Sequence, residues 1–340
     1  DWRRRLGARD DTGAPYEVEA AGMLLALAYP DRVAQRRPGG GARFLMRNGR
    51  GAVLDEAQPL AARQWIVAAE LDGRQRESRI FLAAPIALDE IESLFADQVT
   101  RETRVEWDDD AGLVRAAGRE RLGAIVLRER AIVDPPPGLV TGALLDAIRA
   151  RGLGSLPWTT ESRRTLERLR FARVQDESWP EVSDAMLLDT LDGWLGAHVA
   201  GMRRLEEVRR VELSEALRGL LTWEQRARLD ELAPTHVTVP TGSRIAVDYS
   251  DPDAPVLAVR LQELFGLAET PRVWHGRVPL TLHLLSPAHR PVQVTRDLAG
   301  FWRTSYFDVR RDLRGRYPRH HWPEDPMSAE PTRRAKKRGE

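Results

Sequence analysis

Near the end of the chain, in GRYPRHHWPEDP (315–326), His320 and His321 stand beside Trp322, Glu324 and Asp325. Imidazoles among carboxylates are the residue types of a divalent-metal site or of acid–base catalysis. The spacing argues against both. Neighbouring residues of an extended chain point to opposite sides, so the two imidazoles do not turn toward one ion. His198, His236, His275, His283 and His289 are scattered, and no HExxH or comparable helical ligand spacing occurs. Asp108, Asp109 and Asp110 lack the alternating oxygen ligands and the later Glu of a calcium loop, and read as a hairpin turn. Ser286 in LLSPAH lacks the elbow glycines of a hydrolase nucleophile, and Asp297 in TRDLAGFW reads as the cap of a following helix. Cysteine is absent, which excludes disulfides, thiolate nucleophiles and cysteine-ligated metals and fits a reducing cytoplasm, the expected location. No Gly is followed by Lys, so these residues contain no Walker A loop. The expectation is a chain with no catalytic residue, no metal and no cofactor of its own.

What remains is cationic chemistry. Of 52 basic residues only Lys336 and Lys337 are lysines, which leaves fifty arginines. GC-rich coding produces such a bias as readily as nucleic-acid contact does. The net charge is only +1, so any contact with a polyanion needs local patches. Arg43, Arg47 and Arg50 flank one predicted hairpin, and Arg74, Arg76 and Arg79 crowd a following loop; Phe44 and Trp65 are the aromatics nearby, suited to base stacking or to the core. Arg333, Arg334, Lys336 and Lys337 lie in the tail PTRRAKKRGE, a solvated run or an extension of a footprint on RNA.

The elements that must carry these residues can be read from periodicity. A chain of 340 residues with 42% hydrophobic and 30% charged residues is a soluble, multidomain protein, and no apolar run approaches a membrane span of about 18 residues. It opens DWRRRLGARDD, with neither Met nor a signal pattern, and reads as a fragment of something longer. EVEAAGMLLALAYP has a helical apolar stripe, and the three glycines of RPGGGARF mark a domain boundary or a loose linker. Residues 42–135 hold five or six short strands around one helix, with an Asn48-Gly49 hairpin turn, and suit a small barrel of OB type. Residues 138–233 read as helices with caps at Thr160 and Thr222, and the last hundred residues mix strands with a closing helix. The fold class is multidomain α+β: an OB-like β-barrel, a helical segment and a mixed α+β C-terminal domain. The boundaries are 1–37 (helical), 38–136 (OB-like), 137–233 (helical), 234–327 (α+β) and 328–340 (basic disordered tail).

PTGSRIAVDY, RVPLTLHLLSPAHRPVQVTRDLAGFW, DLRGRYPRHHWPEDP and PTRRAKK resemble the C-terminal region of the HrpB family of bacterial DEAH/DExH-type ATP-dependent helicases. LLALAYPDRVAQRR and NGRGAVL resemble the passage from that family's ratchet domain into its OB-like domain, so 1–37 becomes a ratchet remnant. The resemblance implies a parent that binds RNA, ATP and Mg through two RecA-like domains. Walker A, DExH and arginine-finger motifs are missing here, so no ATPase residue carries over. The expected role is accessory: RNA or other single-stranded nucleic acid is guided past a motor formed by the missing RecA-like domains. The alternative is a protein-docking module built on the C-terminal domain. Trp302, Tyr317 and Trp322 are expected as structural anchors, with the His-His segment as extended chain whose freedom is limited by Pro318, Pro323 and Pro326.

Overall fold

The computed structural model describes residues 20–73 and 77–333. The chain divides into two compact units, Asp1–Val140 and Thr141–Glu340. Among the described residues the first opens with α1 (Ala20–Ala28), which ends where Pro30 starts a short 3-10 turn. Five strands follow: β1 (Val33–Arg36), β2 (Arg43–Met46), β3 (Gly51–Val53), β4 (Trp65–Leu71) and β5 (Glu77–Pro85). They close into a barrel in the order β1-β2-β3-β5-β4, with β1 hydrogen-bonded to both β2 and β4. The β3–β5 pair is parallel and the other pairs are antiparallel. Alternate residues point inward, so Ala34, Phe44, Met46, Ala52, Ile66 and Ile80 form one core.

The triple glycine is not a boundary. Gly39 and Gly41 have φ of 69° and 61° and form the turn between β1 and β2, so the barrel starts at Val33. The hairpin turn at Asn48-Gly49 forms as expected, with Gly49 at φ 86°.

The strands beyond the helix do not join the barrel. After α2 (Leu88–Leu94) come β6 (Thr100–Asp108), β7 (Leu113–Leu122) and β8 (Ile125–Ala131), a separate antiparallel sheet in the order β6-β7-β8. The physical reason is closure: β1 already pairs on both edges, so the barrel offers no open edge to a sixth strand. The base of this sheet packs through Leu122, Ile125 and Leu127 into a second core with Val33, Trp65 and Ile91. Gln35 adds a polar tie, its side-chain amide exchanging hydrogen bonds of 2.7 and 3.0 Å with the backbone of Val126.

Gly22 is where α1 touches the barrel most closely: a Cβ there would lie 1.9 Å from the Pro85 carbonyl oxygen. Gly22→Ala is expected to cost about 1–3 kcal/mol by overpacking, read as a lower urea midpoint for the barrel transition. An unchanged midpoint would mean that α1 is not seated there.

The second unit opens with α3 (Pro137–Arg151), α4 (Thr160–Gln175), α5 (Asp184–Asp189), α6 (Leu191–Trp194), α7 (Leu205–Val208), α8 (Leu213–Arg218) and α9 (Trp223–Leu232). The cap of α4 is Thr159, one residue before the expected Thr160: its hydroxyl accepts from the Ser162 N–H at 3.1 Å. Thr222 caps α9 as expected, accepting from Gln225 N–H at 3.2 Å. Strands β9 (His236–Thr238), β10 (Arg244–Asp248), β11 (Val256–Arg260), β14 (Thr281–Leu285) and β15 (Pro291–Thr295) form a sheet in the order β15-β14-β11-β10-β9, while β12 (Arg272–Val273) pairs with β13 (Val278–Pro279). The β11–β14 pair is parallel. Helices α10 (Leu298–Arg303) and α11 (Tyr306–Arg316) follow, the first capped by Asp297, which accepts from Gly300 N–H at 2.8 Å.

Beyond α11 the chain becomes a strap over its own unit. Trp322 Nε1 donates to the Tyr317 carbonyl at 2.9 Å, Gln262 Nε2 to that of His321 at 3.1 Å, and the Tyr306 hydroxyl to that of Pro323 at 2.8 Å. Gly266 N–H donates to Pro326 O at 3.0 Å, and Thr332 N–H to Gln262 O at 3.0 Å. Trp302 is 3% exposed and donates to Leu267 O at 2.9 Å. His320 faces the Tyr317 ring and His321 the Phe265 ring, so the two imidazoles have different surroundings.

Candidate nucleic-acid interface

The acid–base candidates resolve into turns and caps. Asp108 accepts from the Ala111 N–H at 2.9 Å and pairs with Arg115 at 2.6 Å, which is hairpin chemistry. Ser286 is 1% exposed, and its hydroxyl accepts from the Arg290 N–H at 3.2 Å within the β14–β15 turn. Burial, reinforced by Arg260 and Arg319, pushes the His320 pKa down, away from the charged form. Among the described residues no three His, Asp or Glu side chains converge as metal ligands would.

The barrel presents a different surface. Because β2, β3 and β5 are adjacent, Arg43, Val53 and Arg79 share one cross-strand row, while Phe44, Ala52 and Ser78 form the next row, facing inward. The two arginines are therefore two strands apart, roughly 10 Å, on the outer face. Arg43 meets Glu77 at 3.7 Å and Arg79 meets Asp55 at 3.9 Å; all four side chains are at least 40% exposed. Such pairs contribute about 0–1 kcal/mol each, so exchanging a carboxylate for a phosphate costs little.

Phe81 completes this face. It is 54% exposed on β5, two residues beyond Arg79 and beside the 58% exposed Leu82, at a bulge in the pairing with β4. Phe44 is fully buried and Trp65 is 8% exposed, so both belong to cores and neither can stack on a base. Sequence reading missed Phe81 because IFLAAPI looks uniformly apolar. The signal lay one step earlier, in ESRIF: with Ser78 and Ile80 inward, Arg79 and Phe81 must point outward.

The other proposed cations divide. Arg50 is exposed in the β2–β3 turn without an ion-pair partner among the described residues. Arg47 is occupied: its guanidinium donates to Gln98 at 2.5 Å and lies 4.9 Å from the centre of the Phe95 ring. Arg333 donates to the Thr241 carbonyl in the second unit. Arg74, Arg76, Arg334, Lys336 and Lys337 lie outside the described residues.

The β6-β7-β8 sheet also carries a cleft of about 250 Å³, lined by Arg101, Arg119 and Arg128 with Glu102 and Glu120. Arg101 and Arg119 are matched across the strands and Arg128 by Glu92 of α2, while Arg130, also in the lining, has no ion-pair partner among the described residues. Arg101 pairs with Glu120 at 3.0 Å, Arg119 with Glu129 at 2.7 Å, and Arg128 with Glu92 at 2.5 Å. The hydrogen bond from Arg128 holds Glu92 below the usual carboxylate range, which keeps that pair ionised. With three of its four lining arginines held by carboxylates, this cleft offers a polyanion less net field than an unpaired cluster would.

The chain is thus a small closed barrel, a separate charged sheet and an α+β unit, and the proteins it is similar to are ATP-dependent helicases. Residues 194–326 match the family described as ATP-dependent helicase C-terminal, and residues 98–132 match the one described as ATP-dependent RNA helicase HrpB, connector region. The chain is 40% identical over 338 residues to the ATP-dependent RNA helicase HrpB of Escherichia coli (strain K12), which covers 98% of this chain and 41% of that protein. It is similar to two solved structures. The crystal structure of the E. coli DExH-box NTPase HrpB matches 98% of this chain and 41% of that one at 40% identity and a TM-score of 0.59. That of the Escherichia coli DEAH/RHA helicase HrpB matches 94% and 40% at 37% identity and a TM-score of 0.52. The chain thus corresponds to a C-terminal portion of HrpB, spanning about two fifths of the length of these relatives.

Proposed function

We propose that this chain is the nucleic-acid-guiding portion of an HrpB-like RNA helicase, and that its barrel is of OB type and receives a single strand on the β2-β3-β5 face. The strand order β1-β2-β3-β5-β4 with a parallel β3–β5 pair supports the OB reading. The single observation that carries the binding reading is the exposed Phe81 beside the loosely paired Arg79 and Arg43. Such barrels combine an aromatic platform with cations along the backbone. ATP and magnesium would be handled by the remaining length of the helicase, since no Gly-Lys step occurs in these residues.

The experiment is binding of a labelled oligouridylate to the chain as a function of salt. Phe81→Ala is expected to weaken binding by about 1–3 kcal/mol, the worth of one stacked base, while leaving the salt slope unchanged. Arg43→Ala with Arg79→Ala should instead flatten the slope by about 1.4, or roughly 0.7 per phosphate contact. Absence of binding at about 50 mM salt, where such contacts are strong, would sink the reading.

A protein-docking role has one observation of its own. On α1, Leu24 and Leu27 are 67% and 60% exposed, an apolar helix face suited to a further segment of an HrpB-like protein.

A further inference from the structure

We propose that the outward stripe of α11, with Arg303 at the end of α10 before it, is a second contact for single-stranded nucleic acid, holding phosphates with Arg303, Arg311 and Arg314 and a base on Phe307. It goes beyond the barrel reading and uses none of the barrel's residues. Residues 303–319 contain six arginines, two aspartates and no other charged residue, a net of four positive charges in a chain whose total is +1. This is the kind of local patch that a nearly neutral chain needs in order to attract a polyanion.

The helix sorts these residues by face. Tyr306 and Leu313 are buried against the second unit's core. Phe307, Arg311 and Arg314, at i, i+4 and i+7, lie on one side, all exposed, with Phe307 at 46%. Arg310 turns the other way and donates to the Trp322 carbonyl at 3.0 Å, so it serves the strap. Arg303 and Arg314 have no carboxylate partner among the described residues. Arg311 shares an ion pair with Asp308 at 3.2 Å in which both side chains are nearly fully solvated, an interaction easily exchanged for a phosphate.

Two other polyanions fit less well. A membrane surface needs a broad apolar face to sink into the acyl boundary, and that side of α11 is already spent on Tyr306 and Leu313. An acidic protein partner needs a contiguous apolar centre, whereas Phe307 stands alone among arginines. A lone aromatic ringed by guanidinium groups suits base stacking, which requires one π-face per nucleotide.

The test uses the whole chain and a labelled oligouridylate, with thermal melts to verify folding. The triple variant Arg303→Ala/Arg311→Ala/Arg314→Ala should lower the slope of log K against log salt by about 2, at roughly 0.7 per single-strand contact. Phe307→Ala should reduce affinity about 5- to 100-fold with an unchanged slope. If both variants bind like the parent while Phe81→Ala loses binding, the α11 proposal falls and the barrel reading stands. If the α11 variants lose binding and Phe81→Ala does not, the reverse holds. Binding of phosphatidylserine vesicles or polyglutamate in place of oligouridylate overturns the proposal in favour of a membrane or an acidic protein.

Discussion

Glu263→Ala is expected to lower the stability of the second unit by about 3–5 kcal/mol, the usual cost of removing one partner from a buried charged network. Glu263 is 3% exposed, in the 3-10 turn Leu261–Leu264 that follows β11. One carboxylate oxygen accepts from the hydroxyls of Ser243 and of Thr241, the latter at 3.0 Å; the other accepts from Arg260 Nε at 2.9 Å. Truncation removes the shared acceptor of two half-buried hydroxyls and of the Arg260 guanidinium. It also loosens the Thr241–Ser243 turn, whose carbonyl at Thr241 receives Arg333 from the end of the strap. Burial alone would raise the Glu263 pKa, yet hydrogen bonds from Ser243, Arg260 and Thr241, with the Arg260 charge, outweigh it and leave the group below its ordinary value. A carboxyl depressed on folding contributes stability above its unfolded pKa, about 4.3, and loses it as pH falls through the folded value. Urea midpoints followed by tryptophan fluorescence report mainly on this unit, which holds seven of the ten tryptophans. The parent should lose stability more steeply than Glu263→Gln between pH 5 and roughly pH 3. Equal slopes for the two proteins would show that folding does not lower the Glu263 pKa.

Arg168→Met should cost about 3 kcal/mol by a different route. Arg168 is 3% exposed on α4, and its fork closes the C-terminal end of α9: Nε donates to Ala233 O at 2.6 Å and Nη2 to Leu229 O at 3.2 Å, with Asp230 at 2.5 Å. The last carbonyls of a helix have no partners within it, and here one buried side chain supplies them. Methionine fills similar volume but leaves the Ala233 carbonyl without this donor, at about 1–3 kcal/mol, while the Leu229 carbonyl keeps the Ala233 N–H at 2.9 Å. Arg168→Lys should recover less than half, because one ammonium cannot span the fork. Asp230 is 83% exposed on its side chain, so Asp230→Ala should change the midpoint by no more than about 1 kcal/mol. A large loss from Asp230→Ala would place the energy in the ion pair and overturn the assignment to the helix end.

Much of the local structure was legible from residue types alone. The Asn48-Gly49 turn and the caps at Thr222 and Asp297 are where they were expected, because each depends on groups a few residues apart. The absence of cysteine and of any Gly-Lys step excluded thiol and P-loop chemistry without reference to a fold. The long C-terminal motifs also sufficed to recognise the HrpB resemblance.

Tertiary structure decided what depends on distant partners. Strand alternation has two phases, and only the pairing of Arg43, Val53 and Arg79 in one row shows which phase faces water. That choice buries Phe44 and exposes Phe81. Residues 100–131 read as further barrel strands until β1 is seen to pair with both β2 and β4. Arg47 looks as available as Arg50 in sequence, and contacts with Gln98 and Phe95, about fifty residues away, separate them. GRYPRHHWPEDP resolves in the same way: its residue types suggest ligands, while the carbonyls of Tyr317, His321, Pro323 and Pro326 make it a strap. Sequence alone determined which hydrogen-bonding and charged groups exist. Which of them are consumed by the fold, and which remain to meet a ligand, was set by burial, a property of the whole chain.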